Sequence, residues 1–365
     1  MRLGIIGLPN VGKSTLFNAI TAAGAEISNY PFCTIEPNRA TVPVPDGRLE
    51  DLAGMVKPEK TIPAVIEFVD IAGLVKGAHK GEGLGNKFLS NIREVDAMVH
   101  VVRCFKDESI SHVSGRVDPI PDIETINLEL IFADIESIEN RLEKNRRPVK
   151  SGDRDIVREV EILEKVKGGL EKGKAIRNME LPAMERDIVD NLFLLTAKPV
   201  LYAVNISEAD IGRTGEDIAE LKRVRDYAEN ENSRMISISA KIEEELTQLD
   251  KEERAQFMED LKISETGMDR LVSACYRLLD LISFFTIKLP EVRAWTVKNG
   301  TTAPRAAGKI HTDFEKGFIC AETIDHRTLM DTGSFNAARE KGLIRQEGKQ
   351  YIIKDGDVIL FKFNV

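Results

Sequence analysis

This chain has no long apolar run, no clustered cysteines and no excess of basic charge, and each absence removes a class of protein. No stretch approaches the ~20 consecutive apolar residues that a membrane span requires. The four cysteines, Cys33, Cys104, Cys275 and Cys320, are far apart and form no C-x-x-C pair. They read as reduced thiols, with neither a zinc site nor a disulfide framework expected. Lys and Arg number 51 against 60 Asp and Glu, a net charge of −9. A surface that coats DNA or RNA throughout is therefore not expected, although a local basic patch stays open. An apolar run begins already at Leu3, which leaves no room for a signal peptide. The expectation is a cytoplasmic protein that neither enters a membrane nor binds DNA.

What is present is a globular composition, with 42% hydrophobic residues in 365, enough for two or three domains with cores of their own. Short β-rich runs at Leu3–Ile6, Ala64–Asp70, Ala97–Arg103, Val200–Asn205 and Met235–Ser239 suit strands buried on both faces of a parallel sheet. Between Arg103 and Val200 the periodicity turns helical. Leu128, Ile131, Ile135, Ile138 and Leu142 step by 3 and 4. After a basic, proline-containing turn, Ile156, Val160, Leu163, Val166 and Leu170 repeat the pattern. Two antiparallel helices inserted as an arm is the simplest reading; two amphipathic helices lying on the sheet is the alternative. From Leu281 onward the character is β again, with strands expected at Phe285–Lys288, Ala294–Val297, Gly317–Ala321, Tyr351–Ile353 and Val358–Phe363. That region carries 13 Lys and Arg against 10 Asp and Glu, a net of +3.

The strongest local signal is Gly7-Leu8-Pro9-Asn10-Val11-Gly12-Lys13-Ser14, which fits G-x-x-x-x-G-K-[ST] at every fixed position. A strand enters it and a helix leaves it, so main-chain N–H groups of Asn10, Val11, Gly12, Lys13, Ser14 and Thr15 can cradle phosphates at a helix N-terminus. Lys13 can reach the outer phosphates, and the Ser14 hydroxyl is a candidate Mg²⁺ ligand. Asp70-Ile71-Ala72-Gly73 ends a strand where Asp70 can hold Mg²⁺ through water and the Gly73 N–H can meet the γ-phosphate. Thr34, in the preceding loop, offers a second hydroxyl for Mg²⁺. Four glycines between 77 and 85 suit a loop that moves. Asn205-Ile206-Ser207-Glu208 stands where guanine-binding domains carry N-K-x-D, with Glu for Asp and Ile for Lys. Adenine has no N1–H to satisfy such a carboxylate, while Asn205 can pair with a purine edge. Ser239-Ala240-Lys241 matches the base-proximal S-A-K loop of the same class.

These segments, together with PFCTIEPN, DIAGLVKGAHKGEGLGN and GKIHTDFEKGFI, resemble the YchF group of Obg-related P-loop NTPases, the Obg-like ATPases. The resemblance covers essentially the whole chain. It implies an α/β P-loop G domain (1–125 and 197–280) interrupted by an α-helical coiled-coil arm (126–196). A β-grasp TGS domain (281–365) would close the chain. It also implies ATP favoured over GTP, and association with ribosomes. Leu74 occupies the place of the Gln that orients water in typical GTPases. Proteins resembling this one use a His for hydrolysis at the position of His112, a residue suited to water positioning near neutral pH. In related domains lacking the Gln, an Asn at the place of Asn10 helps hold a monovalent cation, so K⁺ joins Mg²⁺ as a candidate cofactor. Arg141, Lys144, Arg146, Arg147, Lys150 and Arg154 at the arm's tip are candidate contacts to rRNA, or only a solvated end. The expected activity is a regulatory ATPase. A regulatory GTPase and a nucleotide-gated binding protein are the alternatives, and a metabolic kinase lacks any readable acceptor pocket.

Overall fold

The computed structural model describes residues 1–25, 38–71, 84–107, 109–112, 115–150, 153–213 and 218–364. β1 (Arg2–Ile6) runs into α1 (Lys13–Ala25), and β2 (Arg39–Pro43), α2 (Gly47–Val56), β3 (Lys60–Ile62), β4 (Val65–Asp70), α3 (Leu84–Arg93) and β5 (Ala97–Arg103) follow. Helices α4 (Pro119–Lys150), α5 (Arg154–Leu170) and α6 (Ala183–Asp190) precede β6 (Val200–Asn205), α7 (Ala219–Asn230), β7 (Arg234–Ile238) and α8 (Ala240–Leu246). The chain continues through α9 (Lys251–Asp260), α10 (Gly267–Leu278), β8 (Leu281–Lys288) and β9 (Glu291–Lys298). It ends with α11 (Ala303–Ile310), α12 (Thr312–Lys316), β10 (Phe318–Asp325), α13 (His326–Thr332), α14 (Phe335–Glu340), β11 (Arg345–Glu347) and β12 (Asp357–Phe363).

The first sheet has the order β2-β4-β1-β5-β6-β7, and β1 pairs in parallel with β4 and β5, β5 with β6, and β6 with β7. Every residue of β5 and β6 is buried, as expected for central strands covered on both faces. Parallel pairing brings the carboxyl ends of β1, β4, β5, β6 and β7 to one edge, where the order of an open α/β sheet places ligands. The loops carrying Lys13, His112, Asn205 and Ser239 all leave from that edge.

The inserted helices pack on each other through Ile131, Ile138, Ile162, Leu163, Val166 and Leu170, with Ile135 and Leu142 beside them. Arg141 Nε donates to Glu159 Oε1 at 2.6 Å and Lys167 pairs with Glu139 at 2.7 Å, pairings that only an antiparallel hairpin allows. Three details differ from the sequence reading. Leu128 is 45% exposed and stands outside the core stripe. Helix α4 begins at Pro119, not near 126, and continues through the expected proline turn to Lys150. Asp153 then caps α5 by accepting from Asp155 N and Ile156 N. The basic tip is thus mostly helix, and Arg141 and Arg146 are already paired with Glu159 and Glu143. The return of the arm is fastened by Asp134, 1% exposed, whose carboxylate accepts from Leu195 N, Thr196 N and Thr196 Oγ1 at 2.7–2.8 Å. Burial raises its pKa, and three donors hold the charge in place.

The second sheet, β11-β10-β12-β8-β9-β3, is mixed: β12 lies parallel to β8 and antiparallel to β10, and β8 and β9 form a hairpin. Phe284, Phe318, Phe361 and the alanines of α11 fill its core. Tyr351–Ile353 is not a strand; Ile352 makes a single bridge to Thr302, and β11 takes the edge position instead. Packing divides the described residues into 1–25, 38–40 and 67–271 on one side and 41–66 with 272–364 on the other. Residues 41–66, placed by sequence with the nucleotide domain, therefore pack with the C-terminal unit and lend it β3, paired in parallel with β9.

Candidate active site

The phosphate loop needs two left-handed backbone positions between β1 and α1. Asn10 supplies φ 63° and Gly12 φ 92°. A side chain at Gly12 would be strained by that φ, and its Cβ would collide with Asn205 Nδ2. The first turn of α1 carries Lys13, Ser14 and Thr15 and no acid, leaving its positive end directed to anions. Lys13 Nζ forms an ion pair with Asp70 at the end of β4, both side chains being mostly buried. The cation expected to meet phosphates and the carboxylate expected to meet a metal are thereby brought together.

A cavity of about 970 Å³ opens over this loop and extends to the ends of β6 and β7. Asn10, Gly12, Lys13, Ser14 and Thr15 line one end, and Asn205, Ile206, Glu208, Ser239 and Ala240 the other. Phe105, Lys106, Asp107 and Ile110, from the loop after β5, form a wall. Val11 is buried, and it contributes its carbonyl, which accepts from Asn205 Nδ2 at 2.9 Å. Asn205 Oδ1 in turn accepts from Ala240 N at 3.0 Å. This buried amide therefore ties the phosphate loop to the base-proximal loop, a role beyond the purine contact read from sequence. The Ser239 hydroxyl is buried without a hydrogen-bond partner among the described residues. Glu208 is paired with Lys241, so the carboxylate in the guanine-reading position already has a cation on it.

His112 is not in the cavity wall. Its Nε2 lies 2.9 Å from Asp122 Oδ2 in the first turn of α4, and the two side chains are 4% and 7% exposed. The loop that bears it is fixed by two residues that sequence reasoning missed. Arg103, 1% exposed at the end of β5, donates to the carbonyls of Phe105, Asp107 and Ile110 at 3.1–3.2 Å and reaches Asn10 O at 3.5 Å. Its guanidinium also stacks 4.5 Å from the Phe105 ring. Ser111 accepts from Asn10 Nδ2 through both its carbonyl and its hydroxyl. Only the largely apolar run around Arg103 points to a buried charge. Thr34, Gly73 and Leu74 lie outside the described residues. Among the described residues no group of three or more His, Cys, Asp or Glu side chains forms a metal cluster.

Residues 2–140 match a family model described as 50S ribosome-binding GTPase, and residues 281–364 match a YchF-GTPase C-terminal family described as a protein of unknown function. A Bacillus subtilis protein named ribosome-binding ATPase YchF is 54% identical over 364 residues, 99% of each chain. Its Escherichia coli O157:H7 counterpart of the same name is 50% identical, covering 100% of this chain and 99% of its own. Among solved structures, the Schizosaccharomyces pombe YchF GTPase matches with a TM-score of 0.90 at 40% identity, over 99% of this chain and 97% of that one.

Proposed function

The chain belongs to the YchF family of P-loop nucleoside triphosphatases, and from that membership we propose that it hydrolyses ATP in preference to GTP and couples its nucleotide state to ribosome binding. The observation that carries the reading is the cavity that joins the phosphate loop to a base end where Ile206 and Glu208 stand in place of the guanine-matched Lys and Asp. A site that lacks a free, guanine-matched acceptor forfeits the discrimination that paired polar groups give.

In this reading Lys13 and the N-terminal turn of α1 hold the triphosphate and offset charge that grows on it during transfer to water. Ser14 hydroxyl and Asp70 carboxylate are hard oxygen donors of the kind Mg²⁺ takes, with Thr34 as a third. Bound there, the ion would shield the phosphate oxygens. The Asn10 carboxamide has its nitrogen on Ser111, which leaves its oxygen as the atom for K⁺. His112 positions the attacking water after its loop turns toward the cavity. In the arm, the exposed Lys144 is the residue we assign to ribosomal contact.

Equilibrium binding of slowly hydrolysed ATP and GTP analogues to nucleotide-free protein tests the base preference. ATP tighter by about tenfold, near 1.4 kcal/mol, is expected. GTP tighter by that margin would favour the second reading, a translation-linked GTPase, for which the name of the Schizosaccharomyces pombe relative speaks.

A further inference from the structure

We propose that Asp122 is the positioning residue of the hydrolytic site: it holds His112 turned away from the cavity until their contact breaks. The inference rests on the role given to His112 above. His112 is bound from two directions. Its chain neighbours Ile110 and Ser111 are tied to the phosphate-loop side by Arg103 and Asn10, while its ring is tied to α4 by Asp122. A ring whose Nε2 is engaged by a buried carboxylate cannot turn that nitrogen to a water in the cavity. Release therefore needs the contact broken, and a displacement of roughly 1 Å takes a 2.9 Å contact beyond hydrogen-bonding range.

The element that carries Asp122 is held firmly along its length. Helix α4 has 32 residues, so it is a rod of about 48 Å whose far end is the tip of the arm. It is gripped at Asn127, which donates to Tyr227 OH at 3.2 Å and accepts from Arg177 at 3.0 Å, and again at Asp134. Arg177 also pairs with Glu231, which accepts from Tyr202 of β6. Asp122 lies beyond these grips, in the first turn of α4, where Ile123 and Ile126 are fully buried and Asp118, just ahead of the helix, accepts from Arg223 at 3.0 Å. Stimulation by a bound partner therefore has to act on the His112–Asp122 contact itself.

The test measures turnover of the full chain with and without intact ribosomes, for the wild type, Asp122→Ala, Asp122→Asn, His112→Ala and the Asp122→Ala/His112→Ala pair. Losing a charge-assisted contact to a buried group predicts ribosome-free kcat raised roughly tenfold in Asp122→Ala, with ATP affinity unchanged and ribosome stimulation reduced in proportion. Asp122→Asn keeps the shape of the site and is expected to rise less. The double variant should be as slow as His112→Ala, because the gain passes through that ring. If His112→Ala is slow but neither Asp122 variant exceeds the wild type, the holding role is wrong and Asp122 only supports the fold or orients the ring. If His112→Ala turns over normally, the role of His112 itself is wrong, and the inference falls with it.

Discussion

The two ends of the nucleotide cavity are made of different material. The phosphate end is mostly main chain: a left-handed turn at Asn10 and Gly12 and the open first turn of α1. The base end is side chain: the Asn205 amide, and an ion pair between Glu208 and Lys241 whose side chains are 45% and 66% exposed. Main-chain donors persist through substitution, whereas an exposed ion pair is screened by water and easily rearranged. Triphosphate affinity is therefore a property of this fold, and the choice of base is a property of a few replaceable residues.

Removing the one essential side chain at the phosphate end is the hardest blow. Lys13→Ala is expected to weaken ATP and GTP alike by roughly a hundredfold or more, the worth of charge-assisted bonds to phosphate, as read by calorimetry. Unequal losses for the two nucleotides would show that the ends are not separable. Asn205→Ala attacks the tie between them. Leaving the Val11 carbonyl and the Ala240 amide unpaired in a buried place should cost about 2–3 kcal/mol of stability in a denaturant titration, and an unchanged midpoint would mean that the tie bears nothing.

The scaffold under both ends is expected to respond to acid in one piece. Burial, with Arg177 nearby, pushes His100 of β5 down to about 3. The unfolded chain then binds a proton near 6.5 that the folded chain refuses. The contribution is complete above pH 6.5 and is lost as pH falls toward 3, on the order of 2 kcal/mol by pH 5. His100→Leu should flatten that decline between pH 7 and 5 relative to the wild type, and parallel slopes would contradict it. The smallest effect is the most selective. Ile206→Lys with Glu208→Asp restores N-K-x-D and should move the GTP/ATP affinity ratio about tenfold toward GTP, leaving the affinity for inorganic tripolyphosphate unchanged. Movement of both would place base and phosphate reading in the same residues.

What could be read from the sequence follows from the same division. The phosphate loop, Asp70, Asn205 and the S-A-K loop are legible because each function sits within a few consecutive residues after an apolar strand. Arg103, Asp122 and Asp134 were not, because their partners lie 10 to 62 positions away or are carbonyls with no side-chain signature. The placement of His112 against α4 is of that kind as well. The segment holding β2, α2 and β3 carries little sequence signal because its strands are short and half polar, and β3 pairs with the distant β9. Tyr351–Ile353 looked like a strand by composition, but its backbone meets only Thr302.

One buried arginine has a consequence for how this protein can vary. All the hydrogen bonds of Arg103 described above end on carbonyl oxygens, which every amino acid possesses. Beyond Phe105, on whose ring the guanidinium stacks, the described residues of the wall up to Ile110 can therefore be rewritten while keeping its contour, like a casting whose mould lies in the strand beneath it. Transplanting that loop from a distant relative should succeed wherever the recipient keeps the arginine and fail wherever it does not.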